Sequence, residues 1–194
     1  NKTTRNIYPF FTVMTQYFKL SKGLNIALKG KAAQTVKEVA LSEDFAVVPA
    51  AFEGVTPKLL VKQGDKVLAG DALYQAKSCD AVKVVAPISG TVTEVVRGER
   101  RKVMLIKIHA DKEQKQKDFG KKDIQKMSGE ETIKLLSESG MLAFVNQLPY
   151  DCVVLNPAVT PKAIFVSAFR DMPLEADPAV EFKGEDENFQ AGLT

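Results

Sequence analysis

The chain has 194 residues, enough for one medium-sized domain or two small ones, each able to bury a core. Its hydrophobic share of 45% and charged share of 26% are ordinary for a globular protein, and a net charge of +3 is too small to indicate nucleic-acid binding. The two cysteines, Cys79 and Cys152, form no Cys-x-x-Cys pair, which excludes a disulfide framework and a zinc ribbon. No apolar stretch approaches the about 18 to 20 residues of a transmembrane helix.

The first third of the chain contains short strand signals. Residues 1–16 show no regular pattern and are expected to be a leader or a disordered segment. The stretch "YFKLSKGLNIAL" that comes next predicts a strand and a turn. "FAVVP" and "PKLLV" are aliphatic runs bounded by proline and glycine, which is typical of strands.

Residues 17–109 are predicted to form a small β domain. Two turns, Gly64-Asp65 and Gly70-Asp71, come close together; glycine supplies the positive φ and aspartate bonds back to nearby amides. "AVKVVAP", "GTVTEVV" and "RKVMLIKIH" add further short strands, and "VTEVV" alternates as a half-buried strand does. This pattern predicts a small all-β sandwich.

The order of motifs in this β domain is that of lipoyl and biotinyl carrier domains, in which a tight hairpin turn exposes a lysine. "GDKVLAGDAL" and "APISGTV" match the two halves in the right order. The usual spacing puts Cys79 at the turn tip, while Lys77 and Lys83 would each need a register slip. The sequence therefore predicts a carrier-like hairpin without a lysine for a swinging cofactor. Cys79 itself is interpreted as a structural residue rather than a reactive thiol.

Four cations lie within six residues, at Arg97, Arg100, Arg101 and Lys102. A turn at Gly98 would direct them outward between two strands. Two interpretations stay open: a cationic fork that binds phosphate or carboxylate groups of a partner, and a charged edge that discourages strand-to-strand aggregation. We predict these four residues as the partner-binding site.

The second half of the chain changes character. Residues 110–127 are charged and apolar-poor, and predict a linker or excursion. Residues 128–194 are expected to open an α/β domain that is truncated. Ser128 and Glu131 have capping-box spacing, and Gly140 is placed to end the helix. "KAIFVSAF", β-branched and aromatic without alternation, predicts a strand covered on both faces.

Three specific stretches, "SGTVTEVVRGERR", "SGMLAFV" and "AIFVSAFRDMPLEADP", give a resemblance that extends over about residues 18–181. The chain resembles the A-subunit family of the bacterial sodium-translocating NADH:quinone reductase, the Nqr complex. The resemblance implies a lipoyl/biotinyl-like barrel-sandwich followed by an α/β domain resembling the flavin-binding subunit of complex I. It also implies a piece of a longer subunit.

The resemblance further implies a peripheral, non-catalytic subunit on the cytoplasmic side of the bacterial inner membrane. Its partners would be other Nqr subunits, especially the membrane-embedded B subunit, with quinone as a further ligand. The complex as a whole uses flavins, an iron–sulfur centre, NADH and quinone, and exports sodium. No catalytic residue, cofactor or metal is expected in this piece, and the apolar segment Met141–Val145 is a second candidate contact.

Two other classes remain alternatives. The C subunit of the related Rnf electron-transport complex shares the central motifs. A carrier-type interaction module that lacks the modified lysine would have the same barrel.

Overall fold

The computed structural model describes residues 19, 21, 23, 26, 28–30, 32–169, 172 and 174–193. Expectations for residues 1–16, and for seven of the twelve residues of the strand and turn expected at 17–28, lie outside this set. The chain divides into two compact units. One comprises Asn1–Val36 with Ala168–Glu181, and the other Lys37–Ser167 with Phe182–Thr194. The β domain lies entirely within the second unit.

Seven short strands form the β domain. They are β1 Asp44–Val47, β2 Pro57–Leu59, β3 Lys66–Val67, β4 Ala72–Ala76, β5 Cys79–Val85, β6 Gly90–Arg97 and β7 Val103–Ala110. A four-stranded sheet has the order β1-β7-β6-β3 and a three-stranded sheet the order β2-β4-β5. All strand pairs are antiparallel. The predicted strands at "FAVVP", "PKLLV" and "GTVTEVV" are therefore confirmed.

Each of the two Gly-Asp turns forms the same pair of backbone hydrogen bonds with a residue of another segment. Gly64 donates its N–H to the Val92 carbonyl and the Val92 N–H donates to the Asp65 carbonyl, at 2.7 and 2.8 Å. Gly70 and Asp71 repeat this arrangement with Ala86, at 2.9 and 2.8 Å. Both glycines have positive φ, as predicted.

One hydrophobic core draws on both sheets. Leu73, Tyr74 and Val82 come from the three-stranded sheet, and Ile106 and Ile108 from the four-stranded one, all fully buried. Inward side chains from two facing sheets are what a barrel-sandwich requires, because each sheet alone would leave its apolar face in water.

The charged segment after β7 returns to the barrel. Ser89 and Gln114 exchange hydrogen bonds between the Ser89 backbone and the Gln114 amide, and the Lys115 N–H donates to the Ser89 hydroxyl at 2.9 Å. Ala69 and Gln116 form a parallel bridge, and Lys117 lies 3.6 Å from Asp71. The first part of this segment is thus an ordered excursion anchored by polar bonds.

Beyond it, the described residues contain three α-helices and one small hairpin. The helices are α1 Gly129–Glu138, α2 Pro178–Glu181 and α3 Asp186–Leu193, and the hairpin pairs β8 Asn146–Gln147 with β9 Cys152–Val153. Of these, α2 belongs to the first unit and the others to the second. The Ser128–Glu131 capping box is present, and Gly140 follows α1 with a φ of 76°.

The buried strand predicted at "KAIFVSAF" is absent. Residues 162–169 are irregular, and Ile164, Phe165 and Val166 are 77%, 82% and 60% exposed. An apolar run of this kind becomes a strand only if neighbouring strands take its backbone bonds and other layers cover its faces. In the structure no strand of the described residues pairs with it.

Candidate partner-docking surfaces

The basic turn, defined as Arg97–Lys102, connects β6 to β7. Arg97 forms the last pair of the ladder with Val103. The Gly98 N–H donates to the Lys102 carbonyl at 2.8 Å, and one Arg97 guanidinium nitrogen donates to the Arg101 carbonyl at 3.2 Å. The strands therefore hold the ends of the turn, as the sequence predicted.

Two arginines of this turn have unusual backbone conformations. Arg100 and Arg101 have φ values of 52° and 60°, in the left-handed region that residues with a Cβ seldom occupy. Such a conformation costs about 1–2 kcal/mol per residue. Strained residues concentrate at binding sites more than in ordinary surface turns, which makes this turn a better candidate than its composition alone.

The four cations of the basic turn all face solvent. The structure brings Arg97, Arg100, Arg101 and Lys102 together on one loop, with Glu99 as the only acid among them. None of the four takes part in an ion pair with the described residues. Their charge is therefore available to an acidic or phosphate-bearing partner.

An apolar side chain, missed by the sequence analysis, lies against this turn. Met104 is 43% exposed, and a Cβ added to Gly98 would lie 3.1 Å from its Cγ. The glycine thus leaves the space that Met104 occupies. A glycine one residue after the first arginine of the cluster was the available sequence signal.

A second candidate surface, the apolar turn Met141–Phe144 with Val145, lies just after α1. Met141, Phe144 and Val145 are 52%, 69% and 41% exposed, while Leu142 and Ala143 are buried in the core. Leu142 and Ala143 therefore attach the segment to the core, while the side chains on either side of them lie at the surface. A contiguous set of large exposed apolar side chains is typical of contact surfaces.

Two contacts fix this apolar turn against β5. The Ser137 hydroxyl donates to the Ala81 carbonyl at 2.6 Å. Gly140 packs so closely that a Cβ on it would lie 2.7 Å from Val85 Cγ1. The Phe144 ring meets the Phe52 ring edge-on at 5.6 Å, and Phe52 meets the buried Tyr74 ring at 6.4 Å.

The hairpin tip differs from the prediction. The two residues between β4 and β5 are Lys77 and Ser78, and Cys79 is already the first residue of β5, paired with Ala76. Lys83 lies far down the hairpin, opposite Gln75. Placing Cys79 at the tip was wrong, because a bulge in β5 shifts the register between Gln75 and Ala76.

The corrected tip carries a lysine. Lys77 is exposed, and its backbone N–H donates to the Thr56 carbonyl at 2.9 Å. Cys79 instead packs against the core, as expected for a structural cysteine. The prediction that no lysine occupies the tip of this hairpin is therefore wrong, because Lys77 lies there.

Ionisable chemistry within the described residues is sparse. His109 Nδ1 lies 2.9 Å from Asp44 Oδ1, and this hydrogen bond raises the pKa of the exposed imidazole. The buried Tyr74 hydroxyl has no hydrogen-bond partner, and burial raises its pKa. No group of three or more His, Cys, Asp and Glu side chains in the described residues is arranged for a metal ion. No helix among them is long and apolar enough to cross a membrane.

These features define the class of protein: a barrel-sandwich hybrid of the carrier type, followed by elements of an α/β domain. Comparison with known families agrees. Residues 18–111 match the NqrA N-terminal barrel-sandwich hybrid domain, and residues 127–194 match the NqrA second alpha/beta domain.

Curated relatives give the same family. The chain is 32% identical to the A subunit of the Na(+)-translocating NADH-quinone reductase of Marinomonas sp. (strain MWYL1) over 179 residues, 91% of this chain and 40% of the relative. It is 32% identical to the corresponding subunit of Yersinia pestis over 178 residues, again 91% and 40%. For Neisseria meningitidis serogroup B (strain ATCC BAA-335 / MC58) the values are 32% over 179 residues, 90% and 39%.

The chain belongs to the NqrA family, and it spans about 40% of the length of these relatives. The predicted family and the predicted fold class are confirmed. The Rnf C-subunit alternative receives no support from the matches.

Proposed function

We propose that this chain is the N-terminal part of a non-catalytic subunit of a Na⁺-translocating NADH:quinone reductase. The complex would couple electron transfer from NADH to quinone to sodium export. Membership of the NqrA family, whose curated members carry that name, is the observation that supports this function. The barrel would serve as a rigid scaffold, since its core is complete and its exposed turns carry the distinctive side chains.

The subunit would be peripheral, on the cytoplasmic side of the bacterial inner membrane, and would dock on the membrane-embedded B subunit. Flavins, the iron–sulfur centre and the NADH site would belong to other subunits, and quinone would bind near this subunit without a residue motif in the barrel.

The basic turn would be the main contact. Four cations without ion pairs to the described residues, held on strained backbone between two strands, suit an acidic surface of a partner subunit. The exposed apolar turn Met141–Val145 would add a second, uncharged contact. Charged rims chiefly set association rate and orientation, whereas buried apolar anchors set the lifetime of a complex.

Charge reversal tests this contact. The variant Arg100→Glu/Arg101→Glu, placed in the full-length protein that is co-expressed with the B subunit, should lower the amount recovered on tagged B at least about tenfold. Like charges placed opposite each other cost several kcal/mol, and about 1.4 kcal/mol is a factor of ten.

The matched control is Lys121→Glu/Lys122→Glu, which makes the same charge change at an exposed pair outside the turn. It should assemble normally. Equal recovery of both variants would remove the arginines from the interface, and raised salt should weaken wild-type assembly more than that of the arginine variant.

The corrected hairpin tip supports one other candidate function, a covalent carrier module with Lys77 as the modified residue. Intact mass of the protein, expressed with lipoate or biotin supplied, distinguishes it. We expect the wild type to have the mass of the unmodified protein. The mass of Lys77→Arg should differ from it only by the substitution. An adduct that disappears in that variant would replace the scaffold function with a carrier function.

A further inference from the structure

The basic turn closes with a β-turn of the type I′ form. The Lys102 N–H donates to the Glu99 carbonyl at 3.1 Å, which makes Arg100 and Arg101 the two central residues of this turn. Both central φ values are positive, 52° and 60°, and this combination defines type I′. Glycine and asparagine dominate such positions, because in left-handed backbone a Cβ approaches the next carbonyl oxygen. Two arginines therefore occupy positions at which local energetics favour Asn-Gly.

A third residue with left-handed backbone shows what local interactions can explain. Within the unit that contains the barrel, Asp151 has a φ of 50°. Aspartate is several-fold enriched in this backbone region, and its short carboxylate can bond locally. The Asp151 carboxylate accepts a hydrogen bond from the Asn146 side-chain amide at 2.9 Å. Arginine has neither property, so the backbone of Arg100 and Arg101 needs another explanation.

Packing does not supply that explanation. All residues of the basic turn are exposed, and Arg100 and Arg101 take no part in the hydrophobic core. The two arginines therefore lower the stability of the turn without a gain from burial. Strained residues of this kind are typical of binding sites, where the side chain serves a ligand.

The rest of the turn keeps this arginine pair in place. One Arg97 guanidinium nitrogen donates to the Arg101 carbonyl at 3.2 Å, and the Gly98 N–H donates to the Lys102 carbonyl at 2.8 Å. A turn that is ordered before its ligand arrives loses less conformational entropy on binding.

The surroundings of the arginine pair indicate what kind of ligand it fits. A guanidinium group binds carboxylate and phosphate oxygens alike, through two parallel hydrogen bonds. Glu99, exposed in the same turn, would be repelled by a continuously anionic surface such as a phospholipid membrane. Met104, 43% exposed next to Gly98, would gain from contact with an apolar side chain. Acidic and apolar groups side by side are a property of protein surfaces.

We propose that Arg100 and Arg101 form an arginine pair that serves binding at a cost in fold stability, and that their ligand is a protein segment with paired carboxylates and an apolar side chain. The pair determines the specificity of the basic turn, whereas Arg97 is a positioning residue. The inference rests on the proposed function only where it assigns this segment to the B subunit.

Thermal melting of this chain tests the stability cost. Arg100→Asn/Arg101→Gly should raise the melting temperature by at least about 4 °C, because both new residues suit the left-handed backbone. Arg100→Lys/Arg101→Lys keeps the strained backbone and should melt as the wild type does. Lys121→Asn/Lys122→Gly makes the same substitutions where neither residue has positive φ, and should not raise the melting temperature. An unchanged or lower melting temperature of the first variant would overturn the inference.

Fluorescence anisotropy with a labelled peptide of repeating Leu-Glu-Glu units tests the ligand chemistry. Arg100→Asn/Arg101→Gly should bind this peptide at least about tenfold more weakly than the wild type. Arg100→Lys/Arg101→Lys should bind it at least about threefold more weakly, because an ammonium group cannot form the bidentate contact. Lys121→Asn/Lys122→Gly loses the same charge as the first variant and should bind normally. Equal affinity of the wild type and either arginine variant, or no binding by the wild type, would overturn the inference.

Vesicles of mixed phosphatidylcholine and phosphatidylglycerol distinguish a lipid ligand from a protein ligand. Flotation of the wild type with these vesicles that is lost in Arg100→Asn/Arg101→Gly would assign the pair to lipid headgroups and overturn the inference. We expect no flotation, and flotation of both proteins alike would place the lipid contact on another surface.

Co-expression of the full-length protein with tagged B subunit separates this inference from the proposed function. Recovery of the wild type and loss of Arg100→Asn/Arg101→Gly would support both. Equal recovery of the two would overturn the inference and leave docking on B intact. Recovery of neither would reject docking on B, and the peptide result would then decide the inference by itself.

Discussion

The barrel and the region after it use apolar side chains in opposite ways. Between residues 44 and 110, fourteen hydrophobic residues are buried and four large ones are exposed. Between residues 128 and 167, three are buried and ten large ones are exposed. Burial of a fully enclosed aliphatic side chain contributes about 1.5–3 kcal/mol, so the barrel has the means to fold independently and the later region does not.

The difference shows what kind of information each part contains. The barrel is specified by contacts within about 70 residues, with two Gly-Asp turns, antiparallel neighbours and one shared core. The later region contains a capped helix that rests on β5, and an apolar run with no strand of the described residues beside it. Substitutions in the two regions should therefore differ in the size and the reach of their effects.

The largest effect is expected from Gly90→Ala at the start of β6. An added Cβ would lie 2.1 Å from the His109 carbonyl oxygen, and backbone at the centre of a sheet cannot move away. We expect a loss of about 3 kcal/mol or more in the free energy of unfolding, measured by urea denaturation.

Gly129→Ala is the control for Gly90→Ala, because nothing lies within 4 Å of the added Cβ at the start of α1. It should be neutral or stabilise by up to about 1 kcal/mol. Similar losses in the free energy of unfolding for both variants would contradict the close approach of β6 to β7 at Gly90.

A smaller and local effect is expected from Gly140→Ala. The change combines a left-handed backbone with a contact of 2.7 Å to Val85, and should cost about 2–3 kcal/mol. Because α1 packs on β5, amides of Gly129–Glu138 should exchange faster while those of β6 and β7 stay protected.

Gly120→Ala separates the two causes, since Gly120 has a φ of 75° but no neighbour within 4 Å. It should show the backbone cost alone and leave exchange in α1 unchanged. Loss of protection throughout the barrel in Gly140→Ala would contradict the prediction that the effect stays local to α1.

The smallest effect concerns pH. The hydrogen bond to Asp44, aided by the charges of Glu43 and Asp111, raises the pKa of His109 above its ordinary value of 6.5. A raised folded-state pKa adds stability that is complete below the unfolded-state value and disappears as pH rises through the folded-state value. The pair is exposed, so the contribution is small.

The β1–β7 pairing should therefore weaken slightly as pH rises from 6.5 through the raised folded-state pKa of His109. The melting temperature of the wild type should fall over that interval more than that of His109→Gln. An equal fall in both proteins would show that another group causes the dependence.

Local patterns made much of the barrel predictable. The Gly-Asp turns and the capping box each depend on residues a few positions apart, and both were found as expected. The strand β6 is present, but its burial does not alternate as predicted, because the pairing register shifts between Val92 and Glu94. The basic turn was also located correctly, since a glycine between two strand patterns marks a turn. The left-handed backbone of Arg100 and Arg101 was not predicted. The φ of such residues is set by the strands that flank the turn.

The errors in prediction came from features that spacing cannot reveal. The hairpin tip was misplaced because a bulge in β5 changes how many residues separate paired positions, and motif counting assumes a regular ladder. The strand at 163–167 was predicted from a valid apolar pattern. It is missing because strand formation depends on neighbours, which a local pattern does not encode.

The most direct test of the contrast is to divide the chain. Residues 37–120, expressed alone, should give cooperative unfolding and protected amides in β6 and β7, whereas residues 121–194 alone should give neither. Loss of α1 should lower the stability of the first piece without abolishing its fold. An unfolded first piece, or a cooperatively folded second one, would contradict an independent barrel that is followed by a region with few buried apolar side chains.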